Sequence, residues 1–200
     1  MQLAARQNVR RDLARLTSTI AAPASVASVS LLGVACYSSS SLAHGFVLGM
    51  LVAACATLPT TLYIEHLLRR GGRAKRSLSR PAERMAPLAL ACASVLVAAL
   101  LVRAIQGSPD LETVLVTMLF VLGLALLTTP LNRVSVHMAA ITGSTLIAQL
   151  LYGTIGVAAL PIVALVGWSR VELGDHTVPQ VVTGAGLGAI GASVAYSLVR

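Results

Sequence analysis

The sequence has few charged residues and few cysteines, and both shortages narrow the class of protein. Charged residues make up 11% of the chain and apolar residues 56%, with a mean hydropathy of +0.82. This composition excludes an ordinary soluble domain and predicts an integral membrane protein. The three cysteines, Cys36, Cys55 and Cys92, lie inside apolar runs without a CxxC motif or a Cys/His cluster. We therefore expect neither a disulfide nor a structural zinc site.

The N-terminal residues lack the pattern of a signal peptide, which needs a short apolar run followed by a small-residue cleavage site. Arginines and apolar residues instead alternate over residues 1–16. The pattern predicts a basic amphipathic arm lying on the membrane surface. The remaining residues, 17–200, are expected to form one transmembrane domain.

Long apolar stretches dominate residues 17–200, separated by turn-like segments rich in Ser, Gly and Pro. They predict an all-α, polytopic transmembrane helix bundle with about six to seven spans. We expect the spans at about residues 17–37, 45–64, 85–105, 111–131, 136–152, 153–168 and 178–199. The glycines of the last stretch are interpreted as helix-packing positions, since no strand precedes them as in a phosphate-binding loop.

The positive charge is concentrated in the N-terminal arm and in a basic loop at about residues 65–85, and the formal net charge is +8. Aromatic residues, on which nucleic-acid bases could stack, are not interleaved with this loop. Nucleic acid is therefore not an expected partner. Anionic headgroups or a phosphorylated lipid fit the charge better.

Polar residues interrupt the apolar pattern again at His137 and between Arg170 and His176. Lone polar groups next to apolar spans are costly unless they have a function. Two expected spans separate the basic loop from His137, and two more separate His137 from Arg170, so all three segments should reach the same side. Because loops rich in Lys and Arg stay in the cytoplasm, we expect the site on the cytoplasmic side of the plasma (inner) membrane.

Three polar segments follow one another in a set order. In the first segment, six residues separate Arg73 from Arg80-Pro81. The second segment is Ser135-Val136-His137. In the third, five residues separate Ser169-Arg170 from His176. In order and spacing they resemble the three signatures of the type 2 phosphatidic acid phosphatase superfamily. The resemblance covers the chain from about Arg69 to the end, and the third segment is its most specific part.

The resemblance implies roles for both histidines. His176 would be the nucleophile that attacks phosphorus, and His137 would deliver a proton to the leaving oxygen. The chain departs from the family in having Gln180 where an aspartate follows the nucleophilic histidine. One helical turn separates the two residues, so the Gln180 carbonyl could hold the imidazole, although without a negative charge. Glu172 and Asp175 are alternative carboxylate partners.

Arginine suits phosphate recognition because its planar guanidinium donates fork-like hydrogen bonds. We expect Arg80, Arg84 and Arg170 to bind the substrate phosphate, with Arg73 as a further candidate. Ser135 and Ser169 are also expected at the phosphate. No carboxylate cluster indicates a magnesium site, so the expected hydrolysis is independent of metals and other cofactors. It would proceed through a phosphohistidine.

A site at the bilayer interface predicts an amphiphilic substrate. The preferred class is a polyprenyl phosphate or diphosphate, since no large soluble domain is present to recognise a headgroup. Phosphatidic acid, phosphatidylglycerol phosphate and prenyl diphosphates stay open, as does assembly into a homo-oligomer. Two other functions also stay open: a lipid phosphotransferase using the same phosphohistidine, and a non-catalytic membrane transporter or assembly protein.

Overall fold

The computed structural model describes residues 2–69, 81–129 and 134–200, whose regular structure is entirely α-helical. The expected all-α class is therefore confirmed. The helices are α1 (Gln2–Ile20), α2 (Pro23–Ser38), α3 (Leu42–Arg69), α4 (Pro81–Ala104), α5 (Pro109–Thr128), α6 (Val136–Tyr152), α7 (Thr154–Ala158), α8 (Leu160–Glu172) and α9 (Val178–Val199).

Four helices are long and apolar enough to cross a membrane: α3, α4 from Met85, α5 and α9. The bent pair α1 and α2 makes a fifth candidate if it counts as one span. The expected six to seven spans are not confirmed. Helix α6 has 17 residues and α8 has 13, which at 1.5 Å per residue give about 26 and 20 Å, less than the roughly 30 Å of a hydrocarbon core.

The stretch predicted as a first span, residues 17–37, is divided by a bend of 50° between α1 and α2. Pro23 begins α2 and has no N–H to continue the hydrogen bonds of α1, which explains the break. Helix α1 consequently runs past the predicted arm to Ile20 and packs against α8.

The two faces of α1 differ sharply in character. Arg10, Ala14, Ser18 and Ala21 recur at helical spacing on the face toward the bundle, and Ala14 is fully buried there. The opposite stripe is apolar and more than half exposed: Val9, Leu13, Leu16 and Ile20. An exposed apolar stripe beside arginines is the pattern of a helix lying at a membrane interface.

A small apolar core supports one end of the bundle. It contains Ala21 at the end of α1, Met138 and Ile141 of α6, Val166 of α8 and Val181 of α9. A larger core joins α2 to α6 and α9. The small core positions the start of α6, the end of α8 and the start of α9 relative to one another.

Glycines allow α9 to approach α6 closely. A Cβ on Gly184 would lie 2.5 Å from the Ser135 carbonyl oxygen, and one on Gly188 would meet the Ala139 carbonyl and the Gly143 nitrogen. By contrast, a Cβ on Gly186 would have no neighbour within 4 Å. The packing interpretation of this glycine run is therefore confirmed at Gly184 and Gly188.

Gly188→Ala should destabilise the protein, because the added methyl group would push α9 away from the α6 backbone. We expect the free energy of unfolding to fall by about 1–3 kcal/mol, the usual cost of overpacking. Gly186→Ala is the matched control, two residues away on the same helix, and should leave stability unchanged or slightly higher. Thermal unfolding in detergent measures both. Equal melting temperatures for the two variants would contradict the close α6–α9 contact.

Candidate functional site

The two predicted histidines and Arg170 meet at the end of the bundle that the small core supports. His137 lies in the first turn of α6, Arg170 in the last turn of α8, and His176 in the short connection to α9. The charges of Arg170, His176 and Asp175 all act on His137. Segments that are far apart in the chain therefore form one site.

The connection between α8 and α9 folds tightly back on α8. Gly174 has φ +72°, a left-handed conformation that terminates helices and that glycine adopts without a steric penalty. The N–H of Gly174 bonds to the Val171 carbonyl, and the N–H of His176 bonds to the Arg170 carbonyl at 3.2 Å. These bonds hold the backbone of His176 beside that of Arg170.

The orientation of the His176 ring follows from its contact with Gln180. Nδ1 of His176 lies 3.2 Å from Oε1 of Gln180. The backbone N–H of Thr177 donates to the same Gln180 atom as part of a capping box. An atom that accepts from a backbone N–H must be the amide oxygen, so the imidazole has to donate through Nδ1–H. In the neutral ring Nε2 then carries the lone pair.

The two carboxylates considered as alternative partners of His176 both pair with arginines. Glu172 accepts from Arg10 of α1 at 2.8 Å, and Asp175 forms an ion pair with Arg170 at 3.0 Å. The predicted contact of Gln180 with the imidazole is present at Nδ1 of His176.

Arg170 is a nearly buried cation, and the groups around it satisfy its charge and its hydrogen-bond donors only in part. Its side chain is 12% exposed, and its Nη1 contacts Asp175 and the Ser18 hydroxyl, the latter at 2.5 Å. Its Nε is buried without a hydrogen-bond partner among the described residues. Burial lowers the pKa of the guanidinium, and Asp175 partly opposes this shift. A bound anion would supply the missing acceptor.

Ser18 is a site residue that sequence reasoning missed. Its hydroxyl accepts from Arg170, and its backbone lies close enough to the His137 imidazole to raise the pKa of that group. The only sequence signal was its place on the face of α1 that also carries Arg10, Ala14 and Ala21. Nothing in the local pattern linked that face to Arg170, 152 residues further along the chain.

The two predicted serines are fully buried. Ser169 donates its hydroxyl to the Val166 carbonyl of its own helix at 2.8 Å. Ser135 precedes α6, its N–H lies 3.4 Å from the Gln180 carbonyl, and its hydroxyl has no partner within the described part of the chain. Phosphate binding by either serine stays a prediction.

The arginines predicted from the basic loop are not placed at the site by the structure. Arg73 and Arg80 lie outside the described residues, and only the backbone of Arg84, in the first turn of α4, is described. Their part in phosphate binding stays a prediction.

The environment of His137 favours its neutral form. Burial is the largest cause and lowers the pKa of His137 from 6.5 to about 4, and the positive charge of Arg170, together with that of His176 when it is protonated, acts in the same direction. Asp175 and the Ser18 backbone act in the opposite direction but do not prevail. His137 is therefore uncharged near neutrality when no anion is bound.

Comparisons with protein-family models, with curated proteins and with solved structures find no match to this chain. The resemblance to the type 2 phosphatidic acid phosphatases therefore rests on the three polar segments alone. Its functional content is a hypothesis to be judged by the chemistry of the site.

The protonation state of His137 should depend on a bound anion. We expect ¹⁵N NMR of histidine-labelled protein to show His137 neutral at pH 6, because its pKa lies well below that pH. Inorganic phosphate should shift the resonance toward the protonated form, since an anion on Arg170 favours the cationic imidazole. His137→Gln identifies the resonance. A His137 that is already protonated at pH 6 without phosphate would contradict this account.

Proposed function

We propose that the protein is a membrane phosphatase that hydrolyses a phosphate ester or diphosphate of an amphiphilic substrate. The observation that carries the proposal is a pair of imidazoles beside a nearly buried guanidinium at one end of an apolar helix bundle. The guanidinium can bind non-bridging phosphate oxygens, and the imidazoles can serve as nucleophile and acid.

In the first step Nε2 of His176 attacks phosphorus, and a P–N bond forms as the bond from phosphorus to the leaving oxygen breaks. Gln180 supports this step, because it keeps the proton on Nδ1 and thereby leaves Nε2 nucleophilic. The leaving oxygen takes a proton from His137. In the second step water attacks the phosphohistidine, His137 accepts the proton of that water, and inorganic phosphate leaves with His176 restored.

His137 needs a proton for the first step but is neutral in the free site. The substrate can meet this requirement, since a phosphate dianion beside Arg170 raises the affinity of a neighbouring imidazole for a proton. Binding of the phosphate and charging of the acid are then one coupled event. Arg80 and Arg84 would add positive charge around the same phosphate, and Ser135 a hydrogen bond.

An amphiphilic substrate agrees with the surroundings of the site. The bundle has helices that can cross a membrane, and α1 beside the site has an exposed apolar stripe. A polyprenyl phosphate or diphosphate is our preferred substrate class. The basic loop favours a site on the cytoplasmic side of the plasma membrane.

His176→Ala should abolish phosphate release from a lipid phosphate by the purified protein, because no other described group occupies the position of the nucleophile. His66→Ala is the matched control, an exposed histidine in the last turn of α3, and should retain full activity. Phosphate release with a chelator present, together with the melting temperature, separates lost chemistry from lost folding. Activity of His176→Ala within about threefold of wild type would refute the mechanism.

The His137→Ala variant provides a direct view of the intermediate. With a substrate whose leaving group needs no proton, such as p-nitrophenyl phosphate, the first step should proceed and the second should stall. Acid-labile phosphate should then accumulate on His176. Release of nitrophenol without any protein-bound phosphate would exclude the covalent route.

Gln180→Leu should lower the turnover number about tenfold, because losing the hydrogen bond that orients His176 costs roughly 1.4 kcal/mol at the transition state. Gln180→Glu keeps an acceptor at the same reach and should retain or raise turnover. Thr177→Ala is the control for lost helix capping, since it removes the other half of the capping box and leaves the His176 contact. If Thr177→Ala slowed hydrolysis as much as Gln180→Leu, the effect would belong to the helix end.

A further inference from the structure

A cavity of about 330 Å³ lies inside the bundle between α2, α3, α4, α5 and α6. Its volume is within the range of small-molecule pockets. Its wall includes Ala27 of α2, Ala56 of α3, Val95 of α4, Met118 of α5 and Ala140 of α6. None of the proposed catalytic groups lines it, so it is distinct from the phosphate site.

Most of the cavity wall is apolar, although five of its residues carry hydroxyls and the hydroxyl of Thr60 has no hydrogen-bond partner among the described residues. Thr57, Thr61 and Thr117 donate their hydroxyls to carbonyls one turn earlier in their own helices. These hydroxyl donors are therefore already used by the helix backbones. Water in a cavity needs two to four polar partners, and this wall offers few. The surface is suited to hydrocarbon.

Two residues of the cavity wall are close in the chain to residues of the candidate site. Val136, one of its wall residues, directly precedes His137, and Ala22, another, lies about one helical turn beyond Ser18. From Val136 the wall follows one face of α6 through Ala140 to Ser144. Eight residues of helix correspond to about 12 Å. The cavity therefore extends from the level of His137 into the apolar interior.

We infer that this cavity binds the hydrocarbon chain of the substrate while the phosphate lies on Arg170. The inference rests on the proposed function. It adds that the hydrocarbon chain of the substrate enters the helix bundle instead of staying in the surrounding lipid. Its grounds are the apolar wall and the position of Val136, a wall residue that directly precedes His137 in α6. Linear acyl chains and branched isoprenoid chains are both hydrocarbon, so either could occupy an apolar cavity. Dodecyl phosphate, which is linear, and farnesyl phosphate, which is branched, are therefore used as test substrates to distinguish the two chain types.

Ala27→Phe tests the cavity without altering a helix that carries a catalytic group. The phenyl ring would fill space in the cavity that the hydrocarbon chain of the substrate needs. The kcat/KM for dodecyl and farnesyl phosphate should therefore fall about tenfold or more. Hydrolysis of ethyl phosphate, which has no chain to place, should change by less than about twofold. Val29→Phe is the matched control on the same helix, because Val29 is 72% exposed and points out of the bundle. A larger loss with one of the two long esters identifies the chain type.

Binding measured without turnover separates this inference from the proposed function. Dodecylphosphonate, which cannot be hydrolysed, should raise the melting temperature of wild type and Val29→Phe in nanodiscs, and raise that of Ala27→Phe much less. Ser144→Leu, a smaller filling from α6, should behave like Ala27→Phe and replaces it if that variant does not fold. If wild type hydrolyses no ester but the thermal shifts differ as expected, the phosphatase proposal fails and the cavity stands. Equal shifts in wild type and both filled variants would overturn the cavity inference, whether or not the esters are hydrolysed.

Discussion

The close backbone contact between α6 and α9 is the constraint on which the site depends. Within a bilayer, apolar side chains gain little by moving from lipid to protein, so helix association relies on close packing. Gly184 and Gly188 permit that packing because they add no atoms between the two backbones. The contact runs from Ser135, just before α6, along the first half of both helices, and the Ser135 N–H also lies 3.4 Å from the Gln180 carbonyl. It therefore brings the histidine in the first turn of α6 close to the start of α9.

The charge of Arg170 is a second constraint on the candidate site. A nearly buried cation is costly unless it is well compensated, and here Asp175 and a serine hydroxyl compensate it only in part. Burial lowers the pKa of neighbouring His137, the charge of Arg170 acts in the same direction, and the imidazole is therefore neutral near pH 7. An incompletely compensated cation beside a neutral imidazole favours the binding of an anion. In the proposed mechanism, the substrate phosphate would complete the compensation of Arg170 and favour protonation of His137.

Sequence reasoning identified much of the site because polar residues are conspicuous in apolar surroundings. The spacing of the polar segments predicted that His137, Arg170 and His176 would meet, and they do. Gln180 was correctly placed against His176, because a separation of four residues at a helix start is a local property. Ser18 could not be found this way, since its contact with Arg170 depends on how α1 packs after the bend at Pro23.

The expected six to seven spans are not confirmed, for a related reason. Hydropathy reports how apolar a stretch is, but length and bending decide whether it can cross a bilayer. Helix α8 is apolar yet has 13 residues, and the expected first span is bent by 50°. These short or broken helices are also the ones that carry Arg170 and Ser18. The residues of the site are therefore concentrated where the simple pattern of spans fails.

The contact of Ser18 with Arg170 joins two segments that lie 152 residues apart in the chain. A ribosome releases these segments at very different times, and α9, whose Gln180 contacts His176, emerges after both of them. The candidate site can therefore form only after α9 has been made. A nascent chain stalled before α9 would contain His137 and Arg170 but lack the contact that orients His176.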